Sequence, residues 1–112
     1  MLLECNRTND IVQATILTKE ASVANAEPFK EEMIKLVDEA PRIIILSFQN
    51  IRYVDSSFLG SLVASLKYAI PRGVDIYLVE LDKDVHNLLA LIRMDKVFKI
   101  YKSFQQAMDT VQ

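Results

Sequence analysis

The residues with the most chemical promise sit in one short run, Asp55-Ser56-Ser57-Phe58-Leu59-Gly60. It follows an apolar β-branched stretch, Ile43-Ile44-Ile45-Leu46, and precedes a helical pattern, so it links a strand to a helix start. Asp55 suits the N-cap, where a carboxylate accepts from backbone N–H groups that have no partner inside the helix. Val54 before the cap can staple against Leu59 and fix the angle at which the chain enters. Ser56 then takes the first helical position, its hydroxyl toward solvent and beside the positive end of the helix dipole. A phosphate on that hydroxyl is favoured by the N–H groups and the dipole, and opposed by the charge of Asp55. Such helix starts are common, so the spacing by itself reads first as an ordinary cap.

The other polar residues offer less. His86, the single histidine, lies between Val85 and Asn87 with no second ligand near it in sequence, which reads as a surface or rim position. Cys5, the single cysteine, reads as a small strand residue without a chemical role, and it cannot form an internal disulfide. Asp82 and Asp84 resemble paired carboxylates, but they flank a helix start and are read as caps. No glycine-rich phosphate loop is present, so no nucleotide or other cofactor is implied, and no metal site. One histidine leaves no nucleophile–base pair within the chain, and no catalytic residue is assigned.

Several elements must position the serine pair. Ile11 to Leu17 alternates apolar and polar residues as a strand, and Leu2 to Arg7 pairs with it as a hairpin across Thr8-Asn9-Asp10. A first helix follows, with Asn25 as candidate N-cap, Pro28 in the first turn, and Phe29, Met33, Leu36 and Val37 on one face. Pro41 closes it. Ile43 to Phe48 reads as an inner strand, Ser56 to Ile70 as a second helix ended by Pro71 and Gly73, and Val74 to Val79 as the next strand. Strand, helix and strand in that order form a right-handed crossover with parallel strands. Asp82 or Lys83 opens a third helix, Phe98 to Tyr101 is a short strand, and Ser103 caps a last helix ending near Val111. The fold class is α/β: a mixed sheet of about four to five strands packed with about four helices.

The 112 residues allow one domain, spanning 1–112, and 51% hydrophobic with 25% charged residues is an ordinary globular mixture. Thirteen Lys and Arg against fifteen Asp and Glu give a net charge of −2, which argues against nucleic acid and against a polybasic membrane attachment. Met1-Leu2-Leu3 is too short an apolar run for a signal peptide, and no apolar stretch reaches the ~20 residues of a membrane span. The expectation is a cytoplasmic protein.

The Asp55–Gly60 run resembles the Asp-Ser-Ser/Thr-Gly-Leu-Gly signature of STAS domains in the anti-sigma-factor antagonist family. Ala24-Asn25-Ala26, Leu78-Val79-Glu80-Leu81 and Leu91 to Tyr101 are similar to the family in the same register, from about Ile11 to the C-terminus. The resemblance implies a regulatory switch rather than an enzyme. It implies that the chain binds a protein that is both serine kinase and anti-sigma factor, is phosphorylated on Ser56 (with Ser57 as the alternative acceptor), and then releases that partner. A phosphatase restores the binding form. The partner-binding residues it implies are Asp55, Ser56, Ser57, Phe58 and Leu59. Phe58 departs from the family's usual glycine, and is either core filler or a projecting group that alters which kinase fits. A second function is a STAS adaptor subunit of a transporter or signalling complex that is never phosphorylated. A small enzyme is the third and most remote reading.

Overall fold

The central strand is apolar on both faces because it is covered on both. In the computed structural model, which describes residues 1–111, β4 (Ile43–Ser47) lies in the middle of a five-stranded sheet. Around it run β1 (Leu3–Thr8), β2 (Ile11–Ile16), β6 (Asp75–Val79) and β7 (Lys99–Tyr101), in the order β1-β2-β4-β6-β7. β1 and β2 form the antiparallel hairpin, with Asn9 at φ +56 in its turn. All other pairs are parallel, including β4 with β6, where Ile43 faces Asp75 and Ser47 faces Val79.

Three helices follow parallel strands: α1 (Val23–Asp38), α2 (Ser56–Ala69) and α3 (Lys83–Leu91). Each connection steps the same way across the sheet, and right-handed crossovers in one direction put their helices on one face. There Phe29 and Met33 of α1, Phe58 and Leu62 of α2, and Val85 and Leu89 of α3 pack with Val12, Ile44, Leu46, Ile76 and Leu78. The opposite face, Ile11, Ile43, Ile45, Tyr77 and Val79, is covered by α4 (Phe104–Val111) through Ala107. Ser103 caps α4, its Oγ accepting from the N–H of Gln106 at 3.1 Å.

Local expectations are corrected at four points. The cap of α1 is Ser22 rather than Asn25, because the amide of Asn25 reaches back to the Glu20 carbonyl at 2.9 Å from inside the helix. Pro28 consequently lies in the second turn, not the first, where it leaves the carbonyl of Ala24 without its helical donor. Ala24 is exposed, so water can take that place. α2 ends at Ala69, one residue early, because Ile70–Arg72 tightens into a 3₁₀ turn around Pro71 before Gly73 at φ +75. Finally, β3 (Glu20–Ala21) and β5 (Tyr53–Val54) form a separate two-stranded parallel ribbon that the sequence pattern did not announce.

Candidate functional site

That ribbon is what brings the starts of two helices together. β3 leads directly into α1 and β5 leads directly into α2, so pairing Glu20 with Tyr53 and Ala21 with Val54 sets both N-termini side by side. The N–H of Asp55 then donates to the Ala21 carbonyl at 2.9 Å. This pins the aspartate between the helices, and its carboxylate serves both. Oδ1 accepts from the N–H of Phe58 at 3.0 Å, as an N-cap should, and Oδ2 accepts from the N–H of Val23 at 2.9 Å. Ser22, at the head of α1, makes no side-chain cap bond of its own. Asp55 supplies the acceptor from across the gap instead.

Ser56 and Ser57 occupy the first two positions of α2, and both are exposed. Their N–H groups belong to the first turn, which has no carbonyl one turn back. The dipole end and these free donors favour negative charge at this corner. Asp55 opposes it less than an isolated carboxylate would, because both its oxygens are already held by N–H groups. The two hydroxyls differ in surroundings. Ser57 lines a shallow groove between α1 and α2, floored by Ala26, Gly60 and Ala64, with Lys30 at its side. Large apolar side chains flank the corner: Val23 is 71% exposed and Tyr53 57%. Sequence reasoning missed both, since each becomes part of this surface only through the β3–β5 pairing.

Phe58 is the core filler of the two options. It is fully buried, its ring 4.4 Å from that of Phe29, and it ties α2 to α1 directly behind the serines. The expectation of Phe58 as a partner-facing residue is therefore corrected: its side chain has no surface to offer. Leu59 is half-buried and packs against the same cluster, which Val54 also joins. Of the expected site residues, Asp55, Ser56, Ser57 and Leu59 thus form one continuous patch, with Phe58 beneath it.

His86 is exposed on α3 and borders grooves with Tyr101 and Ile100, in neither case together with the serines. Cys5 is half-buried on β1, where burial pushes its thiol up from the ordinary value against the pull of Arg7. That keeps the thiol protonated and a poor nucleophile. Among the described residues, no group of three or more His, Cys, Asp or Glu side chains is placed to hold a metal ion. No helix among them is long and apolar enough to cross a membrane.

Comparison with known proteins matches this arrangement. A Thermotoga maritima protein named as an anti-sigma factor antagonist is 29% identical over 104 residues, covering 92% of both chains. A crystal structure of an anti-sigma factor antagonist from the same organism superposes with a TM-score of 0.85 at 25% identity, over 97% of this chain and 93% of the other. SpoIIAA, an anti-sigma factor antagonist solved in its unphosphorylated form, superposes at 0.80 with 16% identity, over 97% and 95%. The same fold is found in murine Slc26a9, an anion transporter, at 0.77 with 20% identity, over 92% of this chain but only 18% of the transporter. The model of the STAS domain matches residues 8–107. With a mixed sheet, three helices on one face and an Asp-Ser-Ser helix start wedged against α1, this chain belongs to the STAS-domain family.

Proposed function

We propose that the chain is an anti-sigma factor antagonist that works as a phosphorylation switch in the cytoplasm and carries no catalysis of its own. Unphosphorylated, it binds a protein that is both serine kinase and anti-sigma factor, and so frees the sigma factor. Transfer of phosphate to Ser56 ends that binding, and a phosphatase restores it. The observation that carries this reading is the exposed Ser56 hydroxyl at the first position of α2, next to an aspartate whose two oxygens are already committed.

Physical magnitudes give the switch its sign. A negative charge at a helix N-terminus gains roughly 0.3–1 kcal/mol in the free protein. The same charge buried unpaired in an interface costs several kcal/mol. The phosphorylated chain therefore stays folded and loses its partner. Incubation with a kinase of this class and ATP, followed by intact-mass measurement, tests the first step. Uptake of one phosphate is expected, absent in Ser56→Ala; phosphate on Ser57 alone would reassign the acceptor. Calorimetric titration tests the second step, with Ser56→Asp expected to bind the kinase far more weakly than the wild type.

A second reading has the domain as an unphosphorylated adaptor in a transporter or signalling complex. The likeness to the domain of an anion transporter favours it. Equal kinase affinity for wild type and Ser56→Asp would put the adaptor first.

A further inference from the structure

The five-stranded sheet has two edges, and the chain finishes them differently. β1 is closed at its start by its own helix: the Glu32 carboxylate accepts from the N–H of Leu2 at 2.7 Å and of Leu3 at 3.1 Å. Further along, Arg7 is held by Glu39 at 2.7 Å. β7, at the other edge, pairs only with β6. Beyond that pairing, no hydrogen bond among the described residues reaches the backbone of Lys99–Tyr101. The outer N–H and C=O groups of such an edge are a template for one more strand.

The charges along β7 specify what that strand carries. Two grooves of about 600 and 580 Å³ meet at this strand and share His86, Ile100 and Tyr101. Lys96 and Lys99 line the first, Lys83 and Lys102 the second, and Asp95 is the single acid lining either. All four lysines are exposed, and among the described residues none has a carboxylate within ion-pair range. Lys99 meets only the Tyr77 ring, at 5.4 Å. Residues 83–102 carry five Lys and Arg against two Asp, while the remainder of this acidic chain carries eight against thirteen. Val97, 50% exposed, adds an apolar side chain to the first groove.

We infer that the β7 edge takes an extended protein segment rich in Asp or Glu, which adds to the sheet as a sixth strand. Its backbone bonds to the open groups of β7, and its acids meet Lys83, Lys96, Lys99 and Lys102. A second copy fits badly, because pairing β7 with β7 sets lysine against lysine, the device by which edges resist self-association. A nucleic acid or an anionic membrane also carries negative charge, but either extends past the grooves and meets the acidic remainder of the chain. The inference does not depend on phosphorylation of Ser56.

The test uses the full, isotope-labelled chain and a short synthetic peptide of alternating glutamate and valine, blocked at both ends. Two controls are the peptide with lysine for glutamate and the glutamate peptide N-methylated throughout, which keeps its charge but cannot donate to a strand. Saturable amide shifts are expected in residues 96–102 and 83–86, with slower amide exchange within 99–101. The lysine peptide should not bind, and the N-methylated one should bind roughly tenfold more weakly or worse. Lys96→Gln combined with Lys102→Gln should weaken binding about tenfold with the melting temperature unchanged, since both side chains are exposed. Ser56→Asp should leave it unchanged, which separates this surface from the switch. No saturable shift, or equal binding of the N-methylated peptide, would overturn the inference. So would displacement of the peptide by duplex DNA or phosphatidylglycerol vesicles at lower concentration, or a dimer in sedimentation that the peptide dissociates.

Discussion

α2 and α3 begin with the same local device and end in different situations. Each is opened by an aspartate, Asp55 or Asp82, whose Oδ1 accepts from the N–H three residues on, at 3.0 Å from Phe58 and 2.9 Å from Val85. Each third residue is buried, so both caps sit over an apolar anchor. The difference lies in the second oxygen. In Asp55 it accepts from Val23 at the head of α1, and the aspartate becomes a joint between two helices. Among the described residues, Asp82 caps only its own helix. The same cap is local trim at one helix and tertiary structure at the other, and Ser56, the proposed phosphate acceptor, sits beside the tertiary one.

The anchors should give the largest contrast. Phe58→Ala removes a ring packed at a tilt against Phe29 and should destabilise by about 3–5 kcal/mol, against about 2 kcal/mol for Val85→Ala, in urea unfolding. Phe58→Gly, which restores the usual family residue, should be worse still, because glycine adds a helix penalty of several tenths of a kcal/mol. The loss of the ring then dwarfs the propensity change, so any fall in partner binding must be measured well below the melting temperature.

The caps come next. Asp82→Ala should destabilise by about 1 kcal/mol, an ordinary N-cap loss, and Asp55→Ala by about 2 kcal/mol, because two helix termini lose an acceptor. Asp55→Asn should fall between them, since an amide offers one oxygen where the carboxylate offers two. Equal losses for Asp55→Ala and Asp82→Ala in thermal melts would break the comparison.

Ser56→Ala should change stability by less than about 0.5 kcal/mol, since Asp55 supplies the cap and the hydroxyl is exposed. A clear destabilisation in the same melts would make the serine a structural residue.

The smallest effect is a background of surface ion pairs. Arg7 bonds Glu39 at 2.7 Å and holds its carboxyl below the usual range, and Arg42 does the same for Asp10. A carboxyl lowered in the folded state adds stability above its unfolded value and loses it as the pH falls through the folded one. Melting temperature should therefore decline slightly on acidification below the ordinary carboxylate range. Arg7→Gln should flatten that decline, and an unchanged decline would show the pair to be unimportant. Both pairs are solvent-exposed, which keeps the effect small.

Much of this was legible in the sequence because it depends on neighbours along the chain. The alternation of Ile11 to Ile16, the double-faced Ile43 to Leu46 and the βαβ order led to parallel β4 and β6 with α2 between them, as observed. The Asp-Ser-Ser cap and the Ser103 cap were legible for the same reason. Expectation failed where a residue's fate depended on a distant segment. Asn25 has the chemistry of a cap, yet the β3–β5 ribbon moves the helix start upstream and turns its amide back to Glu20.

By itself, the sequence determined which stretches are strands and helices, that Asp55 opens a helix, and that Ser56 stands in its first turn. These follow from propensity, period and capping, all of which act within a few residues. Only the tertiary structure decided that Asp55 also holds Val23, 32 residues away, that Phe58 turns inward to Phe29, and that Val23 and Tyr53 rim the serine corner. A two-residue ribbon has no period to read. Its pairing exists because the packed sheet and helices bring Glu20–Ala21 and Tyr53–Val54 within reach, and the geometry of the candidate site rests on that contact.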